Sequence, residues 1–275
     1  MPSSNPAFGR GFANAGNGGQ YPGWGAQPQQ YGAPTQYGAP LQSDPYAAPS
    51  PYAPPTTRYM TMDDVVTKTG LTFLVTVLAA AAVWAMPGQA AWGLAIPAML
   101  VGLVLGLVIA FKQIANPAAT LAYAAVEGVF LGAISEAFND YFGEGIVMQA
   151  VIGTFGVFAG MLVVYKTGAI RVTPKFTRWM IGALVGVFVL MLANMFAGFF
   201  GVNMGLRDGS PVAILFSLVV IGVAAFSLLL DFDMADEAIR RGAPAKFAWY
   251  IAFGLLVTVV WLYLEILRLL SYFRE

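Results

Sequence analysis

From about residue 70 onward, apolar positions form long continuous runs and do not alternate with polar ones. Seven runs stand out, at about 70–87, 92–111, 118–138, 146–165, 178–200, 211–230 and 247–270. Each spans about 16 to 25 residues, and a helix needs about 20 to cross the hydrocarbon core of a bilayer. A barrel strand would alternate between lipid-facing and lumen-facing residues, so unbroken runs favour helices. The pattern predicts an all-α polytopic membrane protein with seven transmembrane helices. Prolines at 117, 174, 211 and 244 fall at run boundaries, where a missing amide donor is tolerated. Pro97 lies inside the second run, and a kink is expected there.

The first 57 residues follow another pattern. They contain 11 Pro, 9 Gly and 5 Tyr, with Arg10 and Asp44 as the charged positions. Gln30-Tyr31-Gly32-Ala33-Pro34 recurs as Gln36-Tyr37-Gly38-Ala39-Pro40. A segment with so little aliphatic surface is expected to stay disordered. It reads as a solvated spacer, or as a region of weak association through Tyr or of docking through Pro-rich elements. The folded part, 58–275, is expected to open on an interfacial helix start at Tyr59–Val65. No short basic leader precedes the first apolar run, so no cleavable signal peptide is expected.

Lysine and arginine positions orient the helices. Arg58 and Lys68, Lys112, the set Lys166, Arg171, Lys175 and Arg178, and the set Arg240, Arg241 and Lys246 all fall on one side, ten in all. Arg207 and Arg274 fall on the other, with Asp140 and Glu144. The N-terminus is therefore expected in the cytoplasm and the C-terminus outside.

Composition narrows the chemistry. The chain is 58% hydrophobic and 10% charged, whereas soluble domains are roughly 25% charged. It has neither Cys nor His, which removes thiol chemistry, disulfides and the usual transition-metal sites and leaves oxygen-liganded cations such as calcium or magnesium. Net charge is zero and no basic patch suggests nucleic acid. Ser217 and Ser227 have no base placed to activate them, and an aspartyl-protease use of Asp231 and Asp233 lacks the expected surroundings. No enzyme is expected, and no cofactor.

Acids inside the apolar runs are the candidate chemistry, because ionisable groups at membrane depth usually mark an ion path, a proton relay or a buried switch. Glu127 lies about 14 Å into the third run, near the midplane. It must be protonated, paired or facing water. Glu136 lies nine residues further on. Asp231, Asp233, Asp236 and Glu237 cluster at the end of the sixth run, either as a solvated helix end or as a carboxylate set sharing a cation or a proton. Glu265 sits within Trp261–Leu267. Arg268 can bridge to it locally, or can reach outward and leave Glu265 facing the bundle. Gly102/Gly106, Gly128/Gly132, Gly156/Gly160 and Gly182/Gly186 form four Gly-x-x-x-Gly pairs suited to close helix packing within the bundle, or to dimer contacts.

Two stretches carry a family resemblance: Phe226-Ser227-Leu228-Leu229-Leu230-Asp231-Phe232-Asp233, and Leu262-Tyr263-Leu264-Glu265-Ile266 followed by Leu269-Leu270. Over about 60–273 the chain resembles the Bax-inhibitor, YccA-like membrane proteins, and looks most like a bacterial branch with a Pro/Gly/Tyr-rich tail. The resemblance implies seven helices with the last one central, in a bacterial plasma membrane. It implies an acid pair, Asp233 and Glu265, bridging the last two helices as a pH-sensitive latch on a calcium leak. Lys112 is the nearest counterpart of that network's basic residue. Where relatives carry Asp this chain has Glu265, and Asp233 and Glu265 stand 32 residues apart, wider than the family pattern. A straight seventh helix would separate them, and a bend near Gly254 would join them. The alternative sets Glu265 against Glu127 or Glu136. Two functions follow: a pH-sensitive cation leak channel or exchanger, calcium favoured, or a regulator that binds a membrane protease or stress-response partner. A transporter without calcium preference is a third.

Overall fold

The computed structural model describes residues 58–86, 88–202 and 204–274. The expectation of a disordered tail over 1–57 lies outside the described residues. Seven long helices follow one another: α1 (Met62–Trp84), α2 (Gly88–Lys112), α3 (Pro117–Phe142), α4 (Ile146–Thr167), α5 (Pro174–Phe199), α6 (Pro211–Arg240) and α7 (Ala248–Tyr272). A short 3₁₀ turn, Ala245–Phe247, leads into α7. All seven are long and apolar enough to cross a membrane.

Local chemistry sets the helix starts. Thr61 caps α1 in a reciprocal capping box with Asp64. Asn116, Thr173 and Ser210 cap α3, α5 and α6, each followed by a proline at the first helical position. Each such cap is worth about 1 kcal/mol. Gly168, at φ 68°, closes α4 in the left-handed conformation that suits glycine. Pro97 lies within α2, which continues through it as one helix.

Two boundaries differ from the hydropathy reading. The first run begins at about 70, but α1 starts at Met62 because the Thr61–Asp64 box nucleates it outside the apolar stretch. The sixth run ends at about 230, but α6 continues to Arg240, held by i,i+4 ion pairs from Arg240 to Asp236 and from Arg241 to Glu237.

Burial is uneven. In its most apolar window α7 is 67% buried, against 11% for α5. One face of α7 presents Ile251, Leu255, Val259 and Leu262 to a cluster with Leu228 and Phe232 of α6. The other presents Phe253, Leu256, Val260 and Leu267 to Tyr123 and Leu131 of α3 and Ile146 of α4.

Lipid tails are as apolar as leucine, so packing and interhelical hydrogen bonds hold such a bundle together. Gly128 and Gly132 let α3 lie against the α1 backbone. A Cβ on Gly128 would run into the Thr76 carbonyl, and one on Gly132 would sit 2.5 Å from the Ala80 carbonyl oxygen. Gly102 and Gly106 receive Glu127 and Tyr123 of α3 in the same way. At Gly156, Gly160, Gly182 and Gly186 a Cβ would meet nothing within 4 Å. Two of the four glycine pairs thus serve packing inside the bundle.

Candidate functional site

The connections before α1, after α2, after α4 and between α6 and α7 share one end of the bundle, the basic end. Asp231 stands nine residues from the basic end of α6, and Thr258 ten residues into α7. At 1.5 Å per residue both lie about 14–15 Å from that end, at one level, where the apolar run of α6 gives way to its charged end. There Thr258 Oγ1 donates to Asp231 Oδ2 at 2.6 Å. The other carboxylate oxygen faces Gly254, where an added Cβ would stand 4.0 Å away. A small cleft of about 60 Å³ opens beside the carboxylate, bounded by Met234, Tyr250, Phe253 and Gly254.

Glu127 lies on the other side of α7 at a matching depth, ten residues into α3 or about 15 Å. The Tyr123 side chain, one turn earlier on the same helix face, lies beside its carboxylate. The Tyr123 ring packs edge-on against Phe253 of α7 at 4.9 Å between centroids. Phe253 also lines the Asp231 cleft, so aromatic side chains connect the two acids through α7.

Asp233 points elsewhere. Two residues turn a helix by about 200°, so Asp231 and Asp233 occupy nearly opposite faces of α6. Tyr165 of α4 reaches Asp233 at 3.5 Å and Asp236 at 3.4 Å. Asp236 and Glu237 are paired with Arg240 and Arg241. This cluster is a solvated, charge-compensated helix end.

Glu265 is buried, with 3% of its surface exposed, near the opposite end of α7. Its Oε1 accepts from Arg268 at 2.9 Å and from Arg207, in the α5–α6 connection, at 3.5 Å. Burial, then the neighbouring Arg268 charge, lowers the Arg207 guanidinium from its ordinary value, and Glu265 opposes that shift. The carboxylate ties the end of α7 to the connection before α6.

The structure does not bring Asp233 and Glu265 together. They stand seven and 17 residues from the turn joining α6 to α7, which separates them by about 15 Å along the helix axes. α7 continues unbroken through Gly254, so no bend brings them together. Glu265 also takes arginine partners and not Glu127 or Glu136. One oxygen of Glu136 is buried without a hydrogen-bond partner. Lys112 is exposed at the end of α2, and among the described residues no ion pair joins it to an acid.

Sequence reading missed Thr258 and Arg207. Gly254 and Thr258, four apart, form a small and polar stripe on an otherwise bulky helix, a signal that points to a close α6 approach. Arg207 is 58 positions from Glu265 and carries no such signal. Among the described residues no group of three or more His, Cys, Asp or Glu is placed to hold a metal ion.

Seven apolar helices with acids at packed interhelical positions define a multi-pass α-helical membrane protein. The sequence matches the family described as Bax inhibitor 1 like over residues 5–275, and the chain belongs to that family. That family is not one of enzymes. No curated protein matches the chain.

Proposed function

We propose that this protein is a proton-controlled cation leak pathway, with calcium the favoured ion, and that Asp231 is its gating acid. The observation that carries this reading is the 2.6 Å bond from Thr258 to Asp231. It sets a carboxylate between two helices, at the end of the α6 apolar run, with a hydroxyl and not a cation as its partner. Taking a charge out of water without a counterion is unfavourable. Protonated, Asp231 lets α6 and α7 close. Ionised, it draws water into the cleft beside it and favours their separation. Flux therefore rises as pH rises. α7 is the axis of the bundle in this reading, supported by its burial and by its contacts on two faces. Glu127 and Tyr123 continue the path behind Phe253. Calcium is favoured by the family resemblance and by side chains that offer oxygen but neither thiolate nor imidazole. The basic end faces the cytoplasm of a bacterial plasma membrane, so the N-terminus is inside and the C-terminus outside.

The test is calcium entry into proteoliposomes that enclose an indicator, measured across pH. Wild type should give a flux that grows with pH, and Asp231→Asn a low flux without pH response. Flux no greater than in protein-free vesicles at every pH would contradict transport.

A second reading rests on the segment that enters α1. The Met60 amide donates to the Ala243 carbonyl and the Ala245 amide to the Arg58 carbonyl, each at 2.8 Å. Lys68 Nζ reaches the Ala245 carbonyl at 2.5 Å. The segment that enters α1 is thus tied to the α6–α7 connection, and in this reading the tail recruits a membrane protease or stress-response partner. Deleting residues 1–57 should abolish recovery of such a partner and leave calcium flux intact. Loss of flux with the tail would merge the two roles.

A further inference from the structure

A second and larger cavity, about 500 Å³, lies in the half of the bundle away from the basic end. Its floor is buried: Leu131 and Gly132 of α3, and Leu256, Val259, Val260 and Tyr263 of α7. Its rims are exposed on the bundle's outer surface: Val77 and Trp84 of α1 on one side, Met148 and Phe155 of α4 on the other. The groove therefore opens sideways, toward lipid, between α1 and α4. Phe73 closes its inner end, packing edge-on against Phe155 and Phe158 at 6.3 and 6.1 Å between centroids.

We infer that this groove binds one acyl chain of a phospholipid from the leaflet opposite the basic end. Length is the first argument. Phe73 and Trp84 bound the groove along α1, and eleven residues of helix span about 16 Å. That is about half of a 30 Å hydrocarbon core, the depth of a single leaflet. Chemistry is the second. Four hydroxyls that could hold a polar ligand are already engaged. Thr76 donates to the Thr72 carbonyl at 3.1 Å, and Thr154 to the Ala150 carbonyl at 2.7 Å. Ser135 and Tyr263 bond each other at 2.6 Å. A buried water needs two to four polar partners, and apolar cavities stay dry. An empty groove of this size would forfeit dispersion contacts along its whole floor. An acyl chain restores them, and the bilayer supplies it through the open side. The groove is separate from the Asp231 cleft and does not depend on its role.

The test uses the full chain in phosphatidylcholine–phosphatidylglycerol vesicles containing phosphatidylcholine with a mid-chain diazirine. After illumination, labelled peptides are mapped by mass spectrometry. The expected result is label on Leu256, Val259 and Val260 of α7, which are buried and which annular lipid does not touch. Val151→Trp, which fills the groove from α4, should abolish that label and leave label on the lipid-facing side of α5, such as Phe188, as the sign of a folded bundle. Label confined to outward faces in wild type, or α7 label that survives Val151→Trp, would overturn the proposal. The chain has no Cys, so Val259→Cys gives a single reporter. It should resist a charged, water-soluble thiol reagent in vesicles and react once denatured. Reaction in the folded protein would mean a water-filled groove and would equally overturn the proposal.

Discussion

Asp231 and Glu265 are both carboxylates at helix-packed positions, one toward each end of the α6–α7 pair, but their partners differ in kind. Glu265 accepts from two arginines. Asp231 accepts from one threonine hydroxyl beside a small cleft. Opposite charge stabilises an ionised carboxylate strongly, whereas a single neutral hydroxyl donor favours the ionised form only modestly. Burial alone does not distinguish a structural acid from a responsive one. Its counterions do. On that ground we propose Glu265 as a tie at one end of α7, and Asp231 as the group that changes charge.

The largest stability effect belongs to the tie. Glu265→Gln keeps an oxygen acceptor but leaves Arg207 and Arg268 facing each other without a counterion. It should lower stability by about 2 kcal/mol, read as an earlier thermal unfolding transition in detergent. Loss of one interhelical hydrogen bond is smaller. Thr258→Val should cost about 1 kcal/mol and shift the pH midpoint of flux, because Asp231 keeps its position but loses its donor. A midpoint unchanged by Thr258→Val would break the assignment of Asp231 to that bond. The smallest effect belongs to Asp233. Its side chain is near solvent and the neighbouring acids are already paired, so Asp233→Asn should change stability by less than about 1 kcal/mol and leave the pH response in place.

Much of the fold was legible because membrane-spanning helices declare themselves by composition, and because prolines at 117, 174 and 211 mark starts that the structure places at the first helical position. Hydropathy fails where a helix leaves the lipid. The ends of α1 and α6 are held by a capping box and by ion pairs, and neither raises the apolar count. The acids themselves were visible one by one. Their partners were less so. Asp231 and Asp233 are two residues apart and cannot both face α7, but choosing between them requires the rotation of α6, which packing sets. Thr258 left a faint trace as the second member of a small-residue stripe. Arg207 lies in a connection and reaches Glu265 only through the fold of the whole bundle. The large apolar groove is invisible to any linear reading, since its walls come from four helices.

The difference between the two acids is tested most directly by pH–flux curves of Asp231→Asn and Glu265→Gln recorded beside wild type in the same vesicles. The expected result is a flat, low curve for Asp231→Asn and a wild-type-shaped curve for Glu265→Gln, reduced only in amplitude by lower stability. A flat curve for Glu265→Gln together with a normal pH response for Asp231→Asn would contradict it.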